Sequence, residues 1–204
     1  MEIACLDLEG VLIPEIWINV AECTGIEGLR LTTRDIADYD ELMTYRLKLL
    51  DEHKLTIHDI QEVIETLTPL DGAADFLNWL RERFQVLILS DTFYQFASPL
   101  MRQLGWPTMF AHQLEIDDEG RITNYKLRMP DQKRASVEAL RQVCFRLIAA
   151  GDSYNDMTML GAADAGILFC PPENVICEFP QFPVTRNYVE LRAEFVRASI
   201  RDIA

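Results

Sequence analysis

Short apolar runs recur along the chain, at residues 3–6, 86–89, 147–150 and 166–169, and each stops at a polar turn. Between them lie longer segments in which apolar positions return with helical spacing, as in 73–80 and 135–143. Short apolar runs suit strands buried on both faces, and the longer periodic segments suit amphipathic helices packed against them. Their alternation predicts an α/β fold, a Rossmann-like, mostly parallel sheet with helices on both faces. Residues 116–125 carry Asp-Asp-Glu-Gly at their centre and predict a β-hairpin turning at Glu119-Gly120.

The spacing is uneven in one place. About eighty residues separate the first two runs, where a parallel crossover needs only about a dozen. Helical patterns at 40–50 and 57–67 fall inside that interval. Residues 16–68 therefore read as a small helical subdomain inserted after the first strand, with 1–15 and 69–204 forming the α/β core. Ligands bind at the carboxyl ends of strands in such sheets, so the insert is expected to lie over the site as a cap.

The strand ends carry the chemistry. The first run opens IACLDLEGV, in which Asp7 and Glu9 are separated by one leucine and followed by Gly10. Carboxylates beside an apolar core are costly to desolvate, so a cation is expected near them. The second run leads into Ser90-Asp91-Thr92, read as a hydroxyl-rich turn opening a helix: either a simple N-cap or a phosphate seat. The third leads into GDSYNDM, with Asp152 at the strand end and Asp156 one turn on if a helix starts at Ser153, beside Asn155. Two acidic clusters aimed at one rim suit Mg2+, which shares its oxygen ligands with a substrate phosphate. Lys133, after Pro130-Asp131-Gln132, supplies the point charge that a phosphate in an acidic pocket requires.

Composition narrows the partners. A chain of 204 residues, 49% hydrophobic and 25% charged, is that of an ordinary soluble globular protein. Its net charge of -14 argues against nucleic acid and anionic membranes, so an anionic substrate needs a local cation or a metal. No apolar run reaches membrane-spanning length and no signal-like segment opens the chain. The five cysteines form no CxxC pair, and Cys5, Cys144 and Cys170 lie in apolar runs. They read as buried thiols of a reducing compartment, which makes the expected location cytoplasmic.

DLEGV, LSDT, a lysine and GDSYND, in this order, resemble the haloacid dehalogenase superfamily of phosphotransferases, and within it the phosphoserine phosphatases. The resemblance implies that Asp7 attacks phosphorus to form an aspartyl-phosphate, with Glu9 as general acid and then base. It implies Mg2+ on Asp7, the Glu9 backbone carbonyl and Asp152, with Asp156 orienting metal waters or Lys133. Ser90, Asp91 through its backbone, and Lys133 would hold the phosphate, and Asn155 would touch the phosphate or the substrate. The segment MTYRLKLL matches the family's cap helix. By that match Arg46 would read the substrate carboxylate, and Glu15 its ammonium. The chain departs from the family at Glu9 and Gly10, where an aspartate and often a hydroxyl residue are usual. The departure resembles a bacterial subgroup with both phosphoserine phosphatase and homoserine phosphotransferase activity. The expected substrates are then phosphoserine and homoserine, in serine and threonine biosynthesis, with monomer and homodimer both open. Two alternatives use the same residues: a capped phosphatase of another small phosphoester, and a receiver-like module that accepts phosphoryl without turnover.

Overall fold

The computed structural model describes residues 1–32, 35–36 and 38–203; positions 33, 34 and 37 of the expected insert and 204 of the expected core lie outside the described residues. The strands are β1 (Glu2–Leu6), β2 (Gln85–Phe93), β3 (Thr108–Ile116), β4 (Ile122–Lys126), β5 (Arg146–Gly151), β6 (Ala165–Phe169) and β7 (Val184–Thr185). They form one seven-stranded sheet in the order β4-β3-β2-β1-β5-β6-β7, parallel throughout except for the β3–β4 pair.

Alternation within β1 divides the core in two. Ala4 and Leu6 face one layer and Ile3 and Cys5 the other. Because both faces are covered, no polar residue interrupts the strand between Ile3 and Leu6, which is why the run was readable. On the first face lie α4 (Ala73–Arg81), α5 (Tyr94–Gln103) and α9 (Tyr188–Ala198), bringing Phe76, Phe96 and Phe195 to the larger core. On the second lie α6 (Gln132–Gln142), α7 (Met157–Ala162) and α8 (Glu173–Glu178), contributing Val137, Leu160 and Val175.

The long interval after β1 holds α1 (Ile16–Thr24), a 3-10 turn (Glu27–Arg30), α2 (Tyr39–Glu52) and α3 (Ile57–Glu65). Asp38 caps α2 by accepting from the Glu41 N–H, and Thr56 with Asp59 forms a capping box at α3. The β3–β4 hairpin reaches this insert: the Ile57 N–H donates to the Gly120 carbonyl at 2.9 Å, and the Tyr125 hydroxyl bonds Asp40.

Four expectations change. The hairpin arm begins at Thr108, well before 116, and joins the sheet beside β2. Ser90-Asp91-Thr92 is no helix-opening turn, because β2 continues to Phe93 past a register shift against β3, and α5 starts at Tyr94. No α-helix starts at Ser153; a 3-10 turn over Tyr154–Asp156 precedes α7, since Asp156 folds back to cap residues 152 and 153. Of the cysteines only Cys5 is buried: Cys144 and Cys170 sit just outside their elements, at φ +65° and +46°, and are exposed like Cys23 and Cys177.

Candidate active site

The carboxyl ends of β1, β2 and β5 open into a cavity of about 210 Å3, which the insert roofs through Trp17, Tyr39 and Arg46. Eight of the ten residues nominated from the sequence line it: Asp7, Glu9 and Glu15 after β1, Arg46 from α2, Ser90 and Asp91 from β2, Asp152 and Asn155 after β5. The remaining two, Lys133 and Asp156, are buried beneath it. A larger open depression of about 710 Å3 between α7, β6 and α9 carries none of these groups.

Lys133 stands at the centre of the acids. Its ammonium lies 2.8 Å from Asp156, 3.0 Å from Asp7 and 3.5 Å from Asp91. Burial alone would lower its pKa, but the three carboxylates raise it well above the ordinary lysine value, so it stays charged. Asp7 is pushed toward its neutral form: burial first, then the charge of Asp156, raises its pKa well above the usual value, with Lys133 opposing. Burial and Asp156 likewise push Asp152 to about 7, and burial with Glu15 pushes Glu9 to about 7.

Oxygen atoms of Asp7, Asp152 and Asp156 lie within 4.8 Å of one another. Asp156 has both oxygens engaged, one by Lys133 and the other by the N–H groups of Asp152 and Ser153. That leaves Asp7 and Asp152 as the pair with lone pairs to offer. Four carboxylates, including Asp91, against one ammonium leave a negative excess that a hard divalent cation would neutralise. Gly10 shapes the cradle: it has φ +75°, and a Cβ there would lie 2.6 Å from the Asp152 carboxylate. The donor set therefore fits a divalent metal.

In the roof of the cavity the Arg46 guanidinium lies 4.5 Å over the Trp17 ring and donates to the Leu31 carbonyl at 2.7 Å. Its buried Nε has no partner among the described residues, and burial lowers its pKa to about 10, leaving it charged. A buried cation with a donor to spare is set up for an anionic ligand. Glu15, exposed at the rim, supplies the opposite charge nearby.

Sequence reasoning missed Trp17, Tyr39, Gln132 and His112. Gln132 donates to the Ser90 carbonyl, and His112, buried in β3, lies against Asp91. No local pattern marks His112, because the β3 stretch TMFAHQLEI was not read as a strand before residue 116.

A model of the haloacid dehalogenase-like hydrolases matches residues 1–164. The chain belongs to that family. Within it, the phosphoserine phosphatase ThrH of Pseudomonas aeruginosa is 64% identical over 204 residues, covering all of both chains. A phosphoserine phosphatase of Pseudomonas syringae is 64% identical over 203 residues, all of this chain and 86% of its own. A solved phospho-aspartyl intermediate analogue of phosphoserine phosphatase superposes with a TM-score of 0.78 at 20% identity, covering 95% of this chain and 98% of that one. At that identity the likeness concerns the fold.

The crowded acids have a consequence for stability. Glu9 and Asp152 hold a proton more tightly folded than unfolded. Such groups favour the fold below the ordinary carboxylate range and lose that contribution as pH rises through about 7. Glu2 and Asp91 are shifted downward, so their contribution is already complete above the ordinary carboxylate range. Metal-free protein is expected to melt at a lower temperature near pH 8 than near pH 5.5, and a divalent cation to narrow the gap. Thermal melts in chelator and in excess Mg2+ check this; a melting temperature that rises with pH in chelator contradicts it.

Proposed function

We propose that the chain is a Mg2+-dependent phosphoserine phosphatase of cytoplasmic amino-acid biosynthesis. In this reading it works through an aspartyl-phosphate and also passes the phosphoryl group to homoserine. One observation carries the reading: a single 210 Å3 cavity gathers Asp7, above the buried Lys133, with the opposite charges of Arg46 and Glu15. A phosphorylated zwitterion presents the complementary set of charges. Full-length identity of 64% to a Pseudomonas phosphoserine phosphatase supports the same substrate. Membership of a hydrolase family, and the insert over the cavity, weigh against the receiver-like alternative.

Mg2+, held by Asp7, Asp152 and the Glu9 backbone carbonyl, would supply charge neutralisation at the phosphate. The residues do the rest. Lys133, the Ser90 hydroxyl and the Asp91 backbone N–H hold the phosphate oxygens. Asp7 Oδ1 is fixed by the Leu8 N–H at 2.7 Å and by Lys133 at 3.0 Å, which leaves Oδ2 as the nucleophile. An Oδ2–P bond forms as the P–O bond to serine breaks, and Glu9 gives its proton to the departing oxygen. Glu9 is anchored through Oε2 by the Ile16 N–H at 2.8 Å, and its pKa of about 7 suits both giving and taking a proton. It then takes a proton from water or from the homoserine hydroxyl as that oxygen bonds phosphorus and the Oδ2–P bond breaks, which frees Asp7 and gives phosphate or phosphohomoserine. The insert 16–68, bearing Trp17 and Arg46, acts as the cap that keeps solvent from the intermediate.

The test is product analysis with phosphoserine and Mg2+, with and without homoserine, on the wild type and Glu9→Asp. Serine and phosphate are expected without homoserine, and phosphohomoserine with it. Glutamate reaches about 1–1.5 Å farther than aspartate, so Glu9→Asp is expected to lower the ratio of transfer to hydrolysis. No release of phosphate from phosphoserine overturns the assignment; an unchanged ratio removes Glu9 from acceptor choice.

A further inference from the structure

The Asp91 side chain faces the cavity, 34% exposed, and is gripped from two sides. Its Oδ2 lies 3.5 Å from Lys133 Nζ and accepts from the Asn155 amide at 3.2 Å. Its Oδ1 lies 3.6 Å from His112 Nε2 and 3.4 Å from the Gln132 amide nitrogen. The tautomer of His112 is set from behind: its Nδ1 accepts from the Arg128 N–H at 3.1 Å, so the ring hydrogen is on Nε2, aimed at Asp91. The Arg128 side chain in turn donates to Gln132 Oε1 at 3.3 Å.

Lys133 has three ammonium hydrogens. Asp156 and Asp7 take two, at 2.8 and 3.0 Å. The Asp91 contact, at 3.5 Å, is longer than the roughly 2.7–2.9 Å of a charge-assisted bond. A phosphoryl group that binds Lys133 needs this third hydrogen, and an ionised carboxylate beside it is the competitor. Asn155, after β5, holds Oδ2 on the Lys133 side, whereas Oδ1 is drawn away from Lys133 by His112 on β3 and Gln132 on α6.

We propose that His112 is a positioning residue that holds the Asp91 carboxylate off Lys133 and so keeps the third ammonium hydrogen free for the phosphoryl group. This rests on the reading of Asp7 and Lys133 as a phosphoryl site, and is independent of which phosphoester is the substrate. Removing the His112 donor lets Asp91 close on Lys133 and weakens phosphate binding. Removing the Asp91 charge ends the competition whatever stands at 112.

The experiment is calorimetric binding of inorganic phosphate to the full chain in excess Mg2+. Asp91→Asn is expected to tighten Kd, and His112→Phe to weaken it, each by roughly tenfold, the scale of one charge-assisted contact. His112→Gln, which keeps an N–H donor, is expected to lose less than His112→Phe. The decisive arm is the double variant Asp91→Asn/His112→Phe, expected to bind phosphate like Asp91→Asn alone. A general packing defect at His112 would persist in that background and would overturn the proposal. If His112→Phe does not fold, Asp91→Asn decides alone: an unchanged or weaker Kd overturns it. Wild type that binds phosphate but leaves phosphoserine intact refutes the substrate assignment and not this inference.

Discussion

Asp7→Asn is expected to lower phosphoserine turnover by roughly ten-thousandfold or more while the protein stays folded, because an amide oxygen cannot form the acyl-phosphate. The fold is spared for a specific reason. Asparagine keeps an acceptor for the Leu8 N–H, now 2.7 Å from Oδ1, and keeps an oxygen dipole toward Lys133. It also removes one negative charge from a cluster in which burial and Asp156 already push Asp7 toward its neutral form. Without metal the variant is expected to melt no lower than the wild type. Paired turnover assays and thermal melts check both halves. Wild-type activity in the folded variant would remove the nucleophile assignment, and loss of folding would mean that the Asp7–Lys133 ion pair is structural first.

Arg46→Ala is expected to reduce kcat/KM for phosphoserine by about 2–5 kcal/mol, roughly thirty- to several-thousandfold, since a buried ligand carboxylate would lose its charged partner. The loss should be far smaller for a phosphoester without a carboxylate, such as phosphoethanolamine. The change also strips the Leu31 carbonyl of its donor and uncovers Trp17, so some general cost from the roof of the cavity is expected on both substrates. The ratio of the two losses is therefore the informative quantity. Equal losses would mean that Arg46 does not read the carboxylate.

Much of the α/β sheet was readable because β1, β2, β5 and β6 are buried on both faces, which forces continuous apolar runs. The nominated residues were readable for the opposite reason: Asp7, Asp91 and Asp152 interrupt or end those runs where a chain indifferent to ligands would place a neutral turn. β3 was hidden because its outer half alternates exposed and buried positions next to the sheet edge, so His112 and Gln113 break the apolar pattern. The grip of His112 and Gln132 on Asp91 was also out of reach. It depends on β3 and α6 meeting across β2, a convergence that no spacing along the chain records. The cysteines misled for a local reason: membership of an apolar run says little one residue past the strand, where Cys170 turns outward.

The position of β1 matters for the order in which the chain is made. β1 precedes the other strands in chain order yet lies in the middle of the sheet, with Ile3 paired to Gln85 on one side and Leu147 on the other. Neither edge of β1 can be satisfied until long stretches of later chain have appeared, which makes this a slow, non-local topology with open strand edges during synthesis. Asp7 waits as well, since its counter-charge is Lys133. In a nascent chain shorter than that, the end of β1 stays in water, and α2 and α3 likewise lack β4 and α5, the later elements they pack against. The acidic end of β1 is thus completed only once the helix bearing Lys133 has been made.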